Sequence, residues 1–365
     1  MSDRTTDEIV LDEQEASVRE FYSFDELIQS EHKEPQYAVE DLLVEGHHGI
    51  LAGPFSIGKT YLGLQLSVSL ATGREFMGRK VRRPYRVAFV DLENGAAECK
   101  SRSAKLLPRL GLSDEERELL GKNWHYNDGT EPKDTLYALT LDEKGFKRLD
   151  TYLARHGPEV VIIDCYGKAV PWEEKNEERT KYVLARVAET QKNTTLRDGV
   201  FLQFHHPTKP TADTVWPSIL DNPREWLGRV RGTGRLLDLS PIRLGFDVVG
   251  APNKESAHVL NGFIRGQMSP LILERNEAGF FDLHSDADFL VKSLFGRAPK
   301  QLELFKEIRD RLEETAKITW TEIAKIPASV GSKFHNNTIS ETLRTACSNG
   351  LLCMNDDGSY SLVAA

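Results

Sequence analysis

Gly53-Pro54-Phe55-Ser56-Ile57-Gly58-Lys59-Thr60 decides how this chain is read. The stretch fits G-x-x-x-x-G-K-[ST] in full. It stands between Gly49–Gly53 (GILAG), an apolar run that reads as a buried strand, and Lys59–Ala71, which reads as a helix. The two glycines let the backbone turn so that successive N–H groups face a phosphate. Lys59 adds a point charge at the β/γ position, and the Thr60 hydroxyl is a ligand for Mg²⁺. Gly53 through Tyr61 therefore reads as a binding loop for a nucleoside triphosphate, with ATP and Mg²⁺ as the expected ligands.

Outward from this loop, short apolar runs alternate with amphipathic stretches. Arg86–Asp91 (RVAFVD), Val160–Asp164 (VVIID) and Val200–Phe204 (VFLQF) read as strands; Ala96–Leu107, 144–155 and 177–195 read as helices. Strands alternating with helices predict βαβ units and a parallel sheet covered on both faces, an α/β fold. The span 112–143 has no clear pattern. Ile242–Val249, His258–Arg265, Leu271–Glu274 and Phe280–Leu283 read as an antiparallel extension of the sheet.

Asp164 ends its strand 105 residues after Lys59, where an acid holds Mg²⁺ through water. Cys165 follows it, so the group that orients the attacking water must come from elsewhere. Glu93, just past RVAFVD, is the candidate; the alternative is an acid favoured by a helix N-terminal dipole. The pair His205-His206 ends another strand. A histidine pair there is usually a structural or hydrogen-bonding feature, and no third ligand stands at a spacing that suits zinc.

At this point FLQFHHPTKP, VRGTGRLLDL and AFVDLENG, together with the phosphate loop, resemble the RecA-type ATPase core. They are similar to the RepA-like hexameric helicases of plasmids and phages, the AAA_25 family, over roughly residues 38–285. The resemblance implies a RecA-like P-loop NTPase core that works as a homohexameric, DNA-bound motor. It implies that Glu93 is catalytic, that His206 senses the γ-phosphate, and that Arg102 lies near the nucleotide. It also implies an arginine reaching a neighbouring subunit's ATP, for which Arg243 matches best, with Arg231 and Arg265 as rivals. The planar charge of an arginine suits the spreading negative charge of phosphoryl transfer.

Two irregular stretches after strand ends carry bases and aromatics that suit single-stranded nucleic acid. Gly167–Arg179 holds Lys168, Trp172 and Lys175, and Pro207–Arg229 holds Lys209, Trp216, Arg224, Trp226 and Arg229. Glu173, Glu174, Glu177 and Glu178 oppose this in the first, and a surface loop or inter-subunit lid is the plainer reading.

Residues 291–298 read as a junction to a different object. Gln301–Glu314 is helical, Thr319-Trp-Thr-Glu322 and Thr338-Ile-Ser-Glu341 match capping boxes, and Asn349-Gly350 is a helix stop. Leu351–Met354 and Tyr360–Val363 flank Asp357-Gly358 as a hairpin. Three helices and a hairpin outline a winged-helix-like domain, for duplex DNA or protein contact. Its candidate reading helix, 338–348, carries one base, Arg344.

The 365 residues are 39% hydrophobic and 28% charged, with four cysteines and a mean hydropathy of −0.43. That excludes a largely disordered chain and a disulfide framework. No membrane span or targeting peptide is legible, which implies a soluble, cytoplasmic protein. The net charge of −9 is misleading. Residues 1–41 carry thirteen acids and three bases, and the rest of the chain balances at 43 acids and 44 bases. The expected organisation is an acidic arm over 1–40, an ATPase domain over 41–290, a linker over 291–298 and a winged-helix-like domain over 299–365. The arm reads as a solvated tail, or as a segment docking on a neighbour through Phe21, Tyr22, Phe24 and Leu27. A ring-forming helicase or translocase leads. A RecA/KaiC-like ATPase that remodels proteins and an ATP-controlled DNA-binding regulator are the alternatives.

Overall fold

The computed structural model describes residues 22–29, 34–170, 172, 175–209, 217–220, 222–232, 234–249, 256–284, 287–295, 298–329, 333–348 and 351–362. Phe21, Glu173, Glu174, Trp216 and Asn349-Gly350 lie outside them. In the N-terminal unit, helix α1 (Phe24–Gln29) opens where the Ser23 hydroxyl accepts from the Glu26 N–H, and none of its residues is buried.

The second unit, Tyr37–Ala365, begins with a two-stranded hairpin, β1 (Tyr37–Val39) and β2 (Leu43–Val44). A nine-stranded sheet follows, built from β3 (His47–Ala52), β4 (Val87–Asp91), β5 (Trp124–Asp128), β6 (Val160–Asp164), β7 (Val200–His205), β8 (Ile242–Val248), β9 (His258–Ile264), β10 (Leu271–Arg275) and β11 (Phe281–Leu283). Its order is β11-β10-β9-β8-β3-β7-β6-β4-β5. Strands β8, β3, β7, β6, β4 and β5 run parallel, and β9, β10 and β11 extend the sheet antiparallel, as the sequence pattern predicts. The unread span 112–143 supplies helix α4 (Asp114–Asn123) and the edge strand β5. Ser113 opens α4 with a capping box, a signal that its polar surroundings obscure.

Strands buried on both faces carry continuous apolar runs because each face needs its own core. Leu51, Phe89, Ile162, Leu202 and Leu244 meet α2 (Lys59–Thr72) and α3 (Ala96–Leu110) on one face. Ile50, Ala88, Val90, Val161, Ile163 and Phe201 meet α5 (Glu143–His156) and α7 (Glu177–Asn193) on the other. Short helices α6 (Tyr166–Ala169), α8 (Pro223–Leu227) and α9 (Gly234–Asp238) lie in the connections. Among the described residues, no helix is long and apolar enough to cross a membrane.

The expected junction at 291 falls inside α10 (Ala287–Phe295). Beyond it are α11 (Pro299–Thr315), β12 (Ile318–Thr319), α12 (Trp320–Ile323), α13 (Asn336–Ser348), β13 (Leu352–Met354) and β14 (Ser359–Leu362). The three strands pair in the order β12-β14-β13 over a separate core that includes Phe295, Phe305, Ile308, Ile323, Ile339 and Leu352. Thr319 and Glu322 form the expected capping box. Thr338 does not open a helix. Helix α13 starts two residues earlier, and Thr338 is already helical, its carbonyl accepting from the Thr342 hydroxyl. The hairpin turns at Gly358, whose φ of +77° is left-handed.

Candidate active site

The phosphate loop leaves the carboxyl end of β3, where the Gly53 N–H donates to the His205 carbonyl at 3.1 Å and so ties the loop to β7. Gly58 opens α2 at φ +108°, and a Cβ there would lie 2.7 Å from the Phe281 ring. A Cβ on Gly53 would lie 2.6 Å from the Phe246 carbonyl. The loop therefore admits no side chain at either position, and its backbone amides stay clear to face a ligand. Ser56 also takes a left-handed φ, +61°.

A cavity of about 280 Å³ opens over this loop. Phe55, Ser56, Gly58, Lys59, Thr60, Tyr61, Arg102, Glu93, Asp164 and His206, all expected from sequence, line it. Of the other loop residues, Pro54 is half-buried and Ile57 is buried. Lys59 Nζ donates to the carbonyls of Gly53 (2.7 Å) and Pro54 (2.9 Å) and lies 3.0 Å from His206 Nδ1. Burial lowers its pKa to about 8 against the pull of Asp164, Cys165 and Glu93.

The Thr60 hydroxyl donates to Asp164 Oδ2 at 2.5 Å. This pair of hard oxygens beside the loop is the donor set that Mg²⁺ takes. Burial, with Asp91 and Glu93 adding to it, pushes the Asp164 carboxyl up to about 7 against the Thr60 hydrogen bond and Lys59. A bound cation would restore its charge.

Glu93 is exposed at the mouth of the site. Its place is set by Asp91, which the sequence reading left without a role. Asp91 Oδ1 accepts from the N–H groups of Glu93 (2.9 Å) and Asn94 (2.8 Å), and Oδ2 accepts from the Tyr126 hydroxyl (3.2 Å). An Asp at a strand end capping its own next turn is a legible local signal.

The His206 ring stacks on Phe55, centroids 3.8 Å apart and 9° from parallel. Burial and the Lys59 charge lower its pKa to about 4, so it is neutral. Nδ1 accepts from the Lys59 ammonium, which puts the ring proton on Nε2, and Nε2 is buried without a partner. His205 turns to the sheet interior and bonds the Arg231 carbonyl at 2.7 Å.

Sequence reasoning missed Arg275 and Asn94. Arg275 sits at the end of β10, and the antiparallel extension folds it back to the cavity. Tyr61 lies between two guanidiniums, with Arg102 Cζ 4.6 Å and Arg275 Cζ 5.5 Å from its ring centroid. No motif marks Arg275, because only the strand pairing brings it there.

None of the three arginines expected as the trans-acting group, Arg243, Arg231 and Arg265, lines the cavity. Arg243 pairs in register with Ile50 on β8, and its guanidinium lies 5.5 Å from the Phe263 ring. Arg231 is exposed at the segment after His206, whose carbonyl accepts its N–H at 2.9 Å. Trp226, expected on a nucleic-acid loop, is instead fully buried. Its Nε1 donates to Asp247 Oδ2 at 2.8 Å, because the Pro223–Leu227 helix turns it into the core.

The AAA_25 family model, described as an AAA domain, matches residues 13–212, more than half of the chain. The chain belongs to the AAA_25 family. It is a P-loop ATPase by that membership, and the matched segment contains Lys59, Thr60 and Asp164. In structure this AAA_25 chain is similar to a KaiC-like protein from the hyperthermophilic archaeon Pyrococcus horikoshii OT3. That match has 13% identity and a TM-score of 0.44, covering 69% of this chain and 100% of that one. No curated protein matches the sequence.

Proposed function

We propose that this chain is a Mg²⁺-dependent ATPase that assembles into a ring, most simply a hexamer, and moves along single-stranded DNA as a RepA-like replicative helicase or translocase. The observation that carries this reading is the place of His206. Its ring lines the cavity over the phosphate loop, and the next residue begins a segment pinned at both ends. The Thr208 N–H donates to the Arg229 carbonyl at 2.8 Å, and the Arg231 N–H to His206. A contact at the γ-phosphate is thus one residue from a loop bearing Lys209, Arg224 and Arg229, the first two exposed.

In this reading each residue of the site has a role. Lys59 leaves its loop carbonyls to meet the β- and γ-phosphate charge. Glu93, fixed by Asp91, orients the attacking water and takes its proton. His206 donates from Nε2 to a γ-phosphate oxygen. Mg²⁺ held by Thr60 and Asp164 would neutralise charge on the phosphates. Arg102, Tyr61 and Arg275 also line the cavity and would contact the rest of the nucleotide. Arg243 is the leading trans-acting arginine, Arg231 and Arg265 its rivals. In the proposed organisation, the acidic arm and the winged-helix-like C-terminal unit flank the ATPase core. The exposed face of α13 holds Ser340, Glu341 and Arg344, a balance of charge that suits protein contact as well as duplex DNA.

The test is steady-state ATP turnover against protein concentration, with and without single-stranded DNA. Turnover per chain is expected to rise with concentration and with DNA, and to vanish in Lys59→Ala. Glu93→Gln is expected to lose about 10²–10⁴-fold in kcat while still binding nucleotide. Arg243→Ala is expected to abolish turnover alone but to leave ATP binding intact. Turnover indifferent to DNA would remove the motor reading and leave a protein-remodelling ATPase.

A further inference from the structure

Within the phosphate site lies a group of side chains with a second chemistry. Glu93, Cys165 and His206 follow the ends of β4, β6 and β7, three strands that adjoin in the sheet. Each presents one ligand atom within 4.8 Å of the other two. Cys165 is 3% and His206 8% exposed. The His206 Nε2 atom is buried and partnerless, whereas Nδ1 is engaged by Lys59. Sequence spacing offers the histidine pair no third ligand, and the parallel sheet supplies two.

A carboxylate, a thiolate and an imidazole form the donor set of a soft, four-coordinate ion, whereas Mg²⁺ selects oxygens. Ligands of tetrahedral zinc stand about 3.5 Å apart, and although Asp91 holds the Glu93 backbone, rotation of the exposed Glu93 side chain closes that gap. We propose that Glu93, Cys165 and His206 bind a Zn²⁺ ion, with water as fourth ligand, and that this ion switches the ATPase off. On binding, the Cys165 Sγ–H bond breaks, its proton goes to solvent, and a zinc–sulfur bond forms. The neutral His206 ring shifts its proton from Nε2 to Nδ1, where the Gly53 carbonyl is an acceptor in reach, while Lys59 keeps the Pro54 carbonyl. Glu93 and His206 are then withdrawn from water and phosphate. The ion site stands on this geometry alone, while the inhibition rests on the proposed ATPase roles of those two residues.

The test uses the full-length protein in excess Mg²⁺, with Co²⁺ as the spectroscopic probe. One Co²⁺ per chain is expected, with tetrahedral d–d bands and a thiolate-to-metal charge-transfer band, both removed by Zn²⁺. Cys165→Ser is expected to lose the charge-transfer band and at least about tenfold in affinity. Glu93→Gln should weaken binding but keep that band, and Cys353→Ser, at an exposed thiol outside the site, should leave both unchanged. In turnover assays Zn²⁺ should inhibit the wild type, and Cys165→Ser should hydrolyse ATP normally while resisting Zn²⁺. A missing charge-transfer band, or one that survives Cys165→Ser, overturns the site. A normal band with Zn²⁺-insensitive turnover upholds the site and overturns the inhibition, and with it Glu93 as the base.

Discussion

Asp164 is fully enclosed, its pKa pushed up to about 7 by burial. An acid whose pKa is higher folded than unfolded costs stability, since the unfolded chain ionises first. The cost is absent below pH ~4, grows between pH ~4 and ~7, and is constant above. Asp164→Asn keeps an acceptor for the Thr60 hydroxyl but carries no charge. It is therefore expected to raise the Tm of the nucleotide-free protein at pH 7.5, by roughly 2–4 °C per kcal/mol recovered, and to leave it unchanged near pH 4. Hydrolysis should be lost at both. A Tm gain that does not grow with pH would show that ionised Asp164 costs the fold nothing. The motif residues Gly53, Gly58, Lys59 and Thr60 were legible because their chemistry is local. Asp91 was legible in principle, as a turn cap. Arg275 was not, since its neighbours in space are Tyr61 and Phe281, distant in sequence.

Gln65 ties helix α2 to the antiparallel edge through two hydrogen bonds. Gln65 Nε2 donates to the Phe281 carbonyl at 2.7 Å, and Oε1 accepts from the Phe281 N–H at 2.9 Å. The same edge carries Arg275 to the nucleotide cavity. Gln65→Leu leaves both buried backbone groups of Phe281 without partners, at a cost of about 1–3 kcal/mol. A lower urea midpoint with an unchanged m-value is expected, together with weaker nucleotide binding, because Arg275 and Tyr61 lose their alignment. Unchanged nucleotide affinity would mean that Arg275 takes no part in binding. Hydrophobic periodicity marks the core strands, but it cannot reveal that a polar α2 residue holds β11.

Across the molecule, α10 joins two cores. Leu290 belongs to the core beneath the central sheet, while Val291 and Phe295 belong to that of the C-terminal unit. Phe295 stacks on Phe305 with centroids 5.2 Å apart. Phe295→Ala is expected to cost about 3–5 kcal/mol. In scanning calorimetry an early transition should appear for the C-terminal unit, while the ATP-protected transition of the large sheet stays in place. A single lowered transition would show instead that α10 welds both cores into one cooperative unit.

By itself the sequence determined the phosphate loop, the parallel core, its antiparallel extension and the outline of the C-terminal unit. Each of these is written in neighbouring residues: turn glycines, apolar runs and helix caps. Only the tertiary structure decided which charged groups meet. Strand order in a parallel sheet is set by crossovers that no local pattern encodes. That order places Glu93, Cys165 and His206 side by side, returns Arg275 to the loop, and buries Trp226 where a surface aromatic was expected.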